Sequence, residues 1–172
     1  MAISKQPGSK LEDCSRKDAA VSLFKSVGMF FKIFHPRKAN IIFKEVHLNP
    51  HLRADILAMD WDDKVTIIEI KSCKEDFKND DKWKNYMDYC DYLYFLCPEG
   101  AISDKDLPAN IGLVWASGFS NHLRLNIIRR PKKLRASRLN SAWFRTIYKR
   151  LAFRRFAKLN DNPVCLDDEI FF

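Results

Sequence analysis

The stretch Arg53 to Ser72, RADILAMDWDDKVTIIEIKS, sets Asp55, Glu69 and Lys71 among residues that otherwise read as two buried strands. Side chains alternate between the faces of a strand, so Glu69 and Lys71 project together while Ile68 and Ile70 point the opposite way. If the preceding strand pairs with this one, Asp55 reaches the same face and the three groups converge at the end of the sheet. Burying such charges unpaired is costly, so the set must be hydrated, mutually paired or neutralised by a cation. Two carboxylates with a carbonyl oxygen and water make a hard, oxygen-rich site that suits Mg²⁺ or Mn²⁺ better than zinc. An ion there lowers the pKa of a bound water and holds a non-bridging phosphate oxygen, and Lys71 is placed to orient the water or offset charge developing at phosphorus. Phosphodiester hydrolysis is the reaction these groups suit. An Asp-Lys-Glu ion-pair network at a sheet edge is the alternative that spacing alone leaves open.

Other residues can support the trio. Glu45 lies in a preceding strand and is a candidate third carboxylate for the metal. Arg53 shares a strand face with Asp55, to pair with it or to touch phosphate, and Ser72, directly after Lys71, is a further candidate for substrate binding. Lys82 and Tyr86 are four apart on an expected helix and so share a face, either toward the substrate or as ordinary helix surface. Trp83 reads as a core anchor ahead of a stacking platform. Asp76 and Asp80 flank Phe77 in a loop, where capping the next helix is a sufficient role for Asp80.

The elements that must hold these residues follow from periodicity. DAAVSLFKSVGMFFKIF carries Ala20, Leu23, Phe24, Val27, Phe30, Phe31 and Phe34 at spacings of three and four, an amphipathic core helix ended by His35-Pro36. IIFKEVHL, RADILAM and KVTIIEIK read as three strands, with Trp61-Asp62-Asp63 turning between the last two. SCKEDFKNDDKWKNYMDYC reads as a loop entering a helix from about Asp80 to Tyr89. DYLYFLCP suits a strand covered on both faces, AISDKDLPAN is loop, and IGLVWASG looks like the last strand. From about Leu134 to Leu159, Leu139, Trp143, Ile147 and Leu151, then Phe144, Tyr148, Ala152 and Phe156, mark a long helix with one apolar side. The order implies one α/β unit over residues 17–160, between a flexible start at 1–16 and a tail at 161–172.

At 172 residues, with 47% hydrophobic and 13% aromatic residues, the chain can build one core and is too apolar to be disordered. It contains no apolar run of membrane-spanning length, and its start lacks the pattern of a signal peptide, so a soluble cytoplasmic protein is expected. The five cysteines form no CxxC pair and read as reduced packing residues. His47 and His51 are separated by Pro50, which forbids a helical metal clamp, and read as loop or turn residues. The net charge of +8 is unevenly spread. Eleven acids stand against six bases from Asp55 to Asp91, whereas Arg129 to Asn160 holds twelve bases and no acid. An acidic centre suits a divalent cation. The basic segment, including Arg135, Arg138, Arg145 and Lys149, suits phosphates of DNA, although a basic helix can also lie on an anionic membrane.

Asp55, a gap of thirteen residues, then Glu69-Ile70-Lys71 resembles the PD-(D/E)XK signature of the restriction-endonuclease-like superfamily in its E-x-K form. RADILA, EIKSCKEDFKNDDKWKNYMDYCDYLYFLCP and LPANIGLVWA together resemble the MmcB-like family of bacterial DNA-repair endonucleases, over roughly Glu45 to Ala116. Ala54 stands where the signature's proline is usual, and Cys73 where a small residue is expected. The resemblance implies a mixed sheet flanked by helices, a divalent metal and a role in DNA repair near the bacterial nucleoid. Asp55 and Glu69 are then metal ligands and Lys71 the catalytic lysine, while Asp76, Asp80, Lys82, Trp83, Tyr86 and Asp91 match further motif positions. Other repair proteins and a second copy of the chain are partners compatible with that role. The competing function is a nuclease-fold module with little or no turnover that recognises damaged or branched DNA for a partner enzyme.

Overall fold

The computed structural model describes residues 9–34, 40–60, 62–120 and 122–134, with Thr146 and Lys149 beyond them. In chain order the elements are α1 (Arg16–Phe34), β1 (Asn40–Asn49), β2 (Leu52–Asp60), β3 (Val65–Ile70), the short α2 (Lys74–Lys78), a 3-10 helix (Lys82–Tyr89), β4 (Tyr92–Pro98), β5 (Gly112–Phe119) and β6 (His122–Arg129). The six strands form one mixed sheet in sequence order. β1, β2 and β3 are successively antiparallel, β3, β4 and β5 are parallel, and β6 returns antiparallel on β5. The two parallel steps require crossovers, which α2 with the 3-10 helix and the 99–111 loop supply.

Alternation along β2 and β3 sorts side chains into two layers. Ile56, Ala58, Ile68 and Ile70 join Tyr94, Leu96 and Val114 under Leu23, Val27 and Phe30 of α1. Phe30 meets the Tyr94 ring edge-on at 5.2 Å. On the opposite face Leu57, Met59, Val65, Ile67, Leu93 and Phe95 pack under Trp83, Tyr86 and Tyr89. All six residues of β3 are buried, because the parallel centre of the sheet is covered on both faces. Glu69 belongs to that run and is only 3% exposed.

The β2 to β3 turn is organised by Asp60, whose Oδ1 accepts from the Asp62 and Lys64 amides at 2.9 and 3.0 Å. At the β5 to β6 turn Gly118 takes φ +102, and a Cβ there would stand 2.9 Å from the His122 carbonyl oxygen.

Four expectations need correction. IGLVWASG is not the last strand, because β6 follows it with Leu123, Leu125 and Ile127 turned toward the α1 layer. The segment from Asp80 to Tyr89 is a 3-10 helix from Lys82, preceded by α2 inside what reads as loop. The start is not loose up to residue 16: Leu11 is buried, Lys10 bridges Phe119, and the Ser120 amide donates to the Ser9 carbonyl at 2.9 Å. His47 lies within β1, while His51 does sit in the following turn. The long C-terminal helix and the 161–172 tail lie outside the described residues, apart from Thr146 and Lys149, which have helical backbone. Among the described residues Cys14, Cys73, Cys90 and Cys97 are free thiols, and no helix is long and apolar enough to cross a membrane.

Candidate active site

The ladder between β2 and β3 runs from Met59 opposite Val65 to Ile56 opposite Ile68, and there it stops. The next residues in register are Asp55 and Glu69. Their carboxylates take over the backbone bonding: Asp55 Oδ2 accepts from the Ile70 amide at 2.8 Å, and Glu69 Oε1 accepts from the Asp55 amide at 3.2 Å. Each acid thus commits one oxygen to the opposite strand and keeps a second. This reciprocal pairing gives the two carboxylates their places at the mouth of a fork in the sheet.

Lys71 continues the Glu69 face, and its amide donates to the Leu96 carbonyl at 3.0 Å, which ties the end of β3 to β4. Its Nζ lies 2.5 Å from Asp80 Oδ2 and 3.9 Å from Glu69 Oε2. Asp80 in turn accepts from the Lys82 amide at 2.8 Å through its other oxygen. The loop carrying Asp80 is pinned by Phe77, which packs on Trp83 and meets Phe95 edge-on at 5.3 Å.

These neighbours set the electrostatics. Burial raises the pKa of Asp55, against the pull of the Ile70 amide and the Lys71 and Arg53 charges. Burial and then repulsion from Asp55 push Glu69 up to about 8, although Lys71 acts in the other direction. Burial also works against the Lys71 ammonium, yet the carboxylates of Asp80, Glu69 and Asp76 outweigh it and hold its pKa above the ordinary lysine value. Surroundings that drive two carboxylates toward their neutral forms favour a cation that would let both ionise. Among the described residues no three of His, Cys, Asp and Glu gather into a metal-holding group. Asp55 and Glu69 offer two carboxylates, and the chemistry of that pair would suit Mg²⁺, an ion that keeps several waters and completes its shell with substrate phosphate oxygens.

The structure thus brings Asp55, Glu69 and Lys71 together, and it separates several of their expected helpers. Glu45 is exposed, takes φ +51 in mid-strand, and pairs with Arg53 at 3.7 Å; it does not join the carboxylate pair. Lys82 and Tyr86 do not share a face, because a 3-10 helix repeats every three residues: Trp83, Tyr86 and Tyr89 turn inward and Lys82 is exposed. Tyr86 donates its hydroxyl to the Arg53 carbonyl at 2.7 Å, bracing β2 beside Asp55 from inside the core. Burial, then the charges of Glu69, Asp55 and Asp80, keep that phenol neutral. Ser72 is tied to Asp76 through its amide at 3.1 Å and its hydroxyl at 3.3 Å, which fixes the chain as it leaves β3.

Trp83 is a core anchor, as its type suggested. Asp91 lies at the opposite end of β3, where its Oδ2 accepts from the Val65 amide at 3.0 Å and its carbonyl from the Leu134 amide at 2.8 Å, so its part is to join β3, β4 and the outgoing chain. Lys149 is exposed, and Arg135, Arg138 and Arg145 lie outside the described residues. The partnership of Asp80 with Lys71 is the feature that spacing concealed, since nothing in a nine-residue separation through a loop indicates contact.

A solved protein of unknown function from Silicibacter pomeroyi has a similar fold, with a TM-score of 0.60 and 23% identity over 92% of this chain and 94% of that one. No curated protein matches the sequence. The model of the family described as DNA repair protein MmcB-like matches residues 8–162. That match spans most of the chain, including both strands of the fork and the loop that carries Asp80, and the chain belongs to the MmcB-like DNA repair protein family.

Proposed function

We propose that this protein hydrolyses DNA phosphodiester bonds with Mg²⁺ or Mn²⁺, as a repair nuclease of the PD-(D/E)XK type. The observation that carries the reading is the meeting of Asp55, Glu69 and Lys71 where the β2 to β3 ladder ends. The family membership supports a role on DNA. Asp55 and Glu69 would hold the ion with the oxygens not bound to backbone amides. When bound, the ion supplies an acidified water and neutralises phosphate charge. Lys71 provides a fixed cation beside Glu69, suited to a phosphate oxygen or to the attacking water. Tyr86 and the Ile70 amide keep β2 and β3 in register around the pair, so the carboxylates meet substrate without rearranging.

A second reading, a DNA-binding module with little turnover, draws on one observation: the Lys71 ammonium is already engaged by Asp80 at 2.5 Å. Labelled single-stranded, duplex, flapped and branched DNA with Mn²⁺ separates the two, comparing the parent with Glu69→Gln and Lys71→Met. A nuclease cleaves at least one substrate, and either change lowers the rate by on the order of a hundredfold or more. Binding without cleavage, equal in chelator and in Mn²⁺ and equal in all three proteins, would establish the binding module instead.

A further inference from the structure

Lys71 is a buried cation with two carboxylates in reach and a clear preference between them. Its Nζ stands 2.5 Å from Asp80 and 3.9 Å from Glu69. The difference matters because a lysine bonded directly to Glu69 would occupy the oxygen that a metal ion needs. Asp80 can hold the ammonium back because it is itself fixed: its second oxygen accepts from the Lys82 amide, its own amide donates to the Phe77 carbonyl at 3.2 Å, and Phe77 is wedged against Trp83 and Phe95. On the other side, Glu69 is anchored by the Asp55 amide through Oε1. Lys71 has a flexible four-carbon stem between two rigid acceptors.

We propose that Asp80 is a positioning residue: it draws the Lys71 ammonium off Glu69, and so keeps the Asp55 and Glu69 pair open to a divalent cation. Asp76 reinforces the arrangement from the chain leaving β3, where it holds Ser72. Without Asp80, the ammonium swings to Glu69 and competes with the ion. This rests on the metal-dependent reading above and goes beyond it by assigning a role to a residue that would touch neither ion nor DNA.

The test is a double-mutant cycle read by Mn²⁺ affinity, measured by calorimetry or by the electron paramagnetic resonance signal of free Mn²⁺, with no DNA present. Asp80→Asn suits the purpose because its remaining oxygen can still accept from the Lys82 amide. In the parent background this change should weaken Mn²⁺ binding roughly tenfold, the scale expected for directly coupled neighbours. In the Lys71→Met background the same change should do little, since no ammonium remains to be held. Asp80→Glu, which restores the charge, should recover part of the affinity. An equal loss in both backgrounds would overturn the proposal, because Asp80 would then act only through its own negative charge, and the metal site would still stand. A parent protein that binds no Mn²⁺ would overturn the metal-dependent reading and this inference with it. Urea unfolding of each variant checks that the loop has kept its fold, and Lys71→Met alone provides a second reference should Asp80→Asn be unstable.

Discussion

Glu69→Gln offers a quantitative check on the electrostatics of the fork. The native carboxyl titrates near 8 against an ordinary value of 4.5, so between those values the folded protein binds a proton that the unfolded chain has released. Stability from this group is therefore complete below about pH 4.5 and is lost as pH rises through about 8. That interval, at about 1.4 kcal/mol per pH unit, sets a ceiling of about 5 kcal/mol. Water entering the fork and local relaxation reduce the usable figure to on the order of 3 kcal/mol. Glutamine keeps an oxygen for the Asp55 amide and cannot ionise. Urea unfolding in chelator from pH 5 to 9 should show the parent losing about that amount, while Glu69→Gln loses much less and becomes the more stable protein at pH 8 to 9. A residual slope will remain in the variant from Asp55, whose pKa is also raised. Added Mn²⁺ should restore the parent at pH 8 and leave the variant nearly unchanged. Parallel curves for the two proteins would refute the claim that Glu69 is held partly protonated by its surroundings.

Tyr86→Phe removes the hydroxyl that serves the Arg53 carbonyl and should cost about 1–2 kcal/mol in urea unfolding, with the fold intact by circular dichroism. Gly112→Ala places a methyl group against the Tyr94 ring and the Pro131 ring, and should lower stability by about 1–3 kcal/mol with no direct effect on Mn²⁺ binding. Combined Arg135→Ala, Arg138→Ala, Arg145→Ala and Lys149→Ala substitutions should weaken DNA binding across all sequences and flatten its salt dependence by about 3 to 4 in the logarithmic slope, measured by fluorescence anisotropy; an unchanged slope would show that these charges face away from the phosphates.

Much of the sheet is legible in the chain because the cues are local. The alternation in KVTIIEIK places Ile68 and Ile70 on one face and Glu69 and Lys71 on the other, and β3 does so. The unbroken run in DYLYFLCP announces a strand buried on both faces. β6 escaped because its alternation of Leu123, Leu125 and Ile127 with Arg124 and Asn126 is short and stands directly before the basic segment that begins at Arg129. The 3-10 helix escaped for a different reason: spacings of three and of four occur in both helix types over eight residues, and only the packing of Trp83, Tyr86 and Tyr89 on the sheet selects a repeat of three. The convergence of Asp55 and Glu69 follows from antiparallel pairing, but their bonding to the opposing amides depends on where the ladder ends. That end point is a tertiary fact with no marker in either strand. For the same reason Glu45, which is adjacent to Asp55 in register, reads as a ligand although its left-handed backbone carries it to Arg53.

The exchange of amides and acids at the fork governs how an inert version of this protein can be made. An alanine at position 55 would remove a charge and also take the acceptor from the Ile70 N–H at the part-buried end of the ladder, so lost turnover could not be told apart from a loosened fork. Asparagine there and glutamine at 69 retain an acceptor for each amide, so such isosteric knockouts remove the carboxylate without removing the backbone bond, and the altered pH dependence of Glu69→Gln is read alongside its turnover.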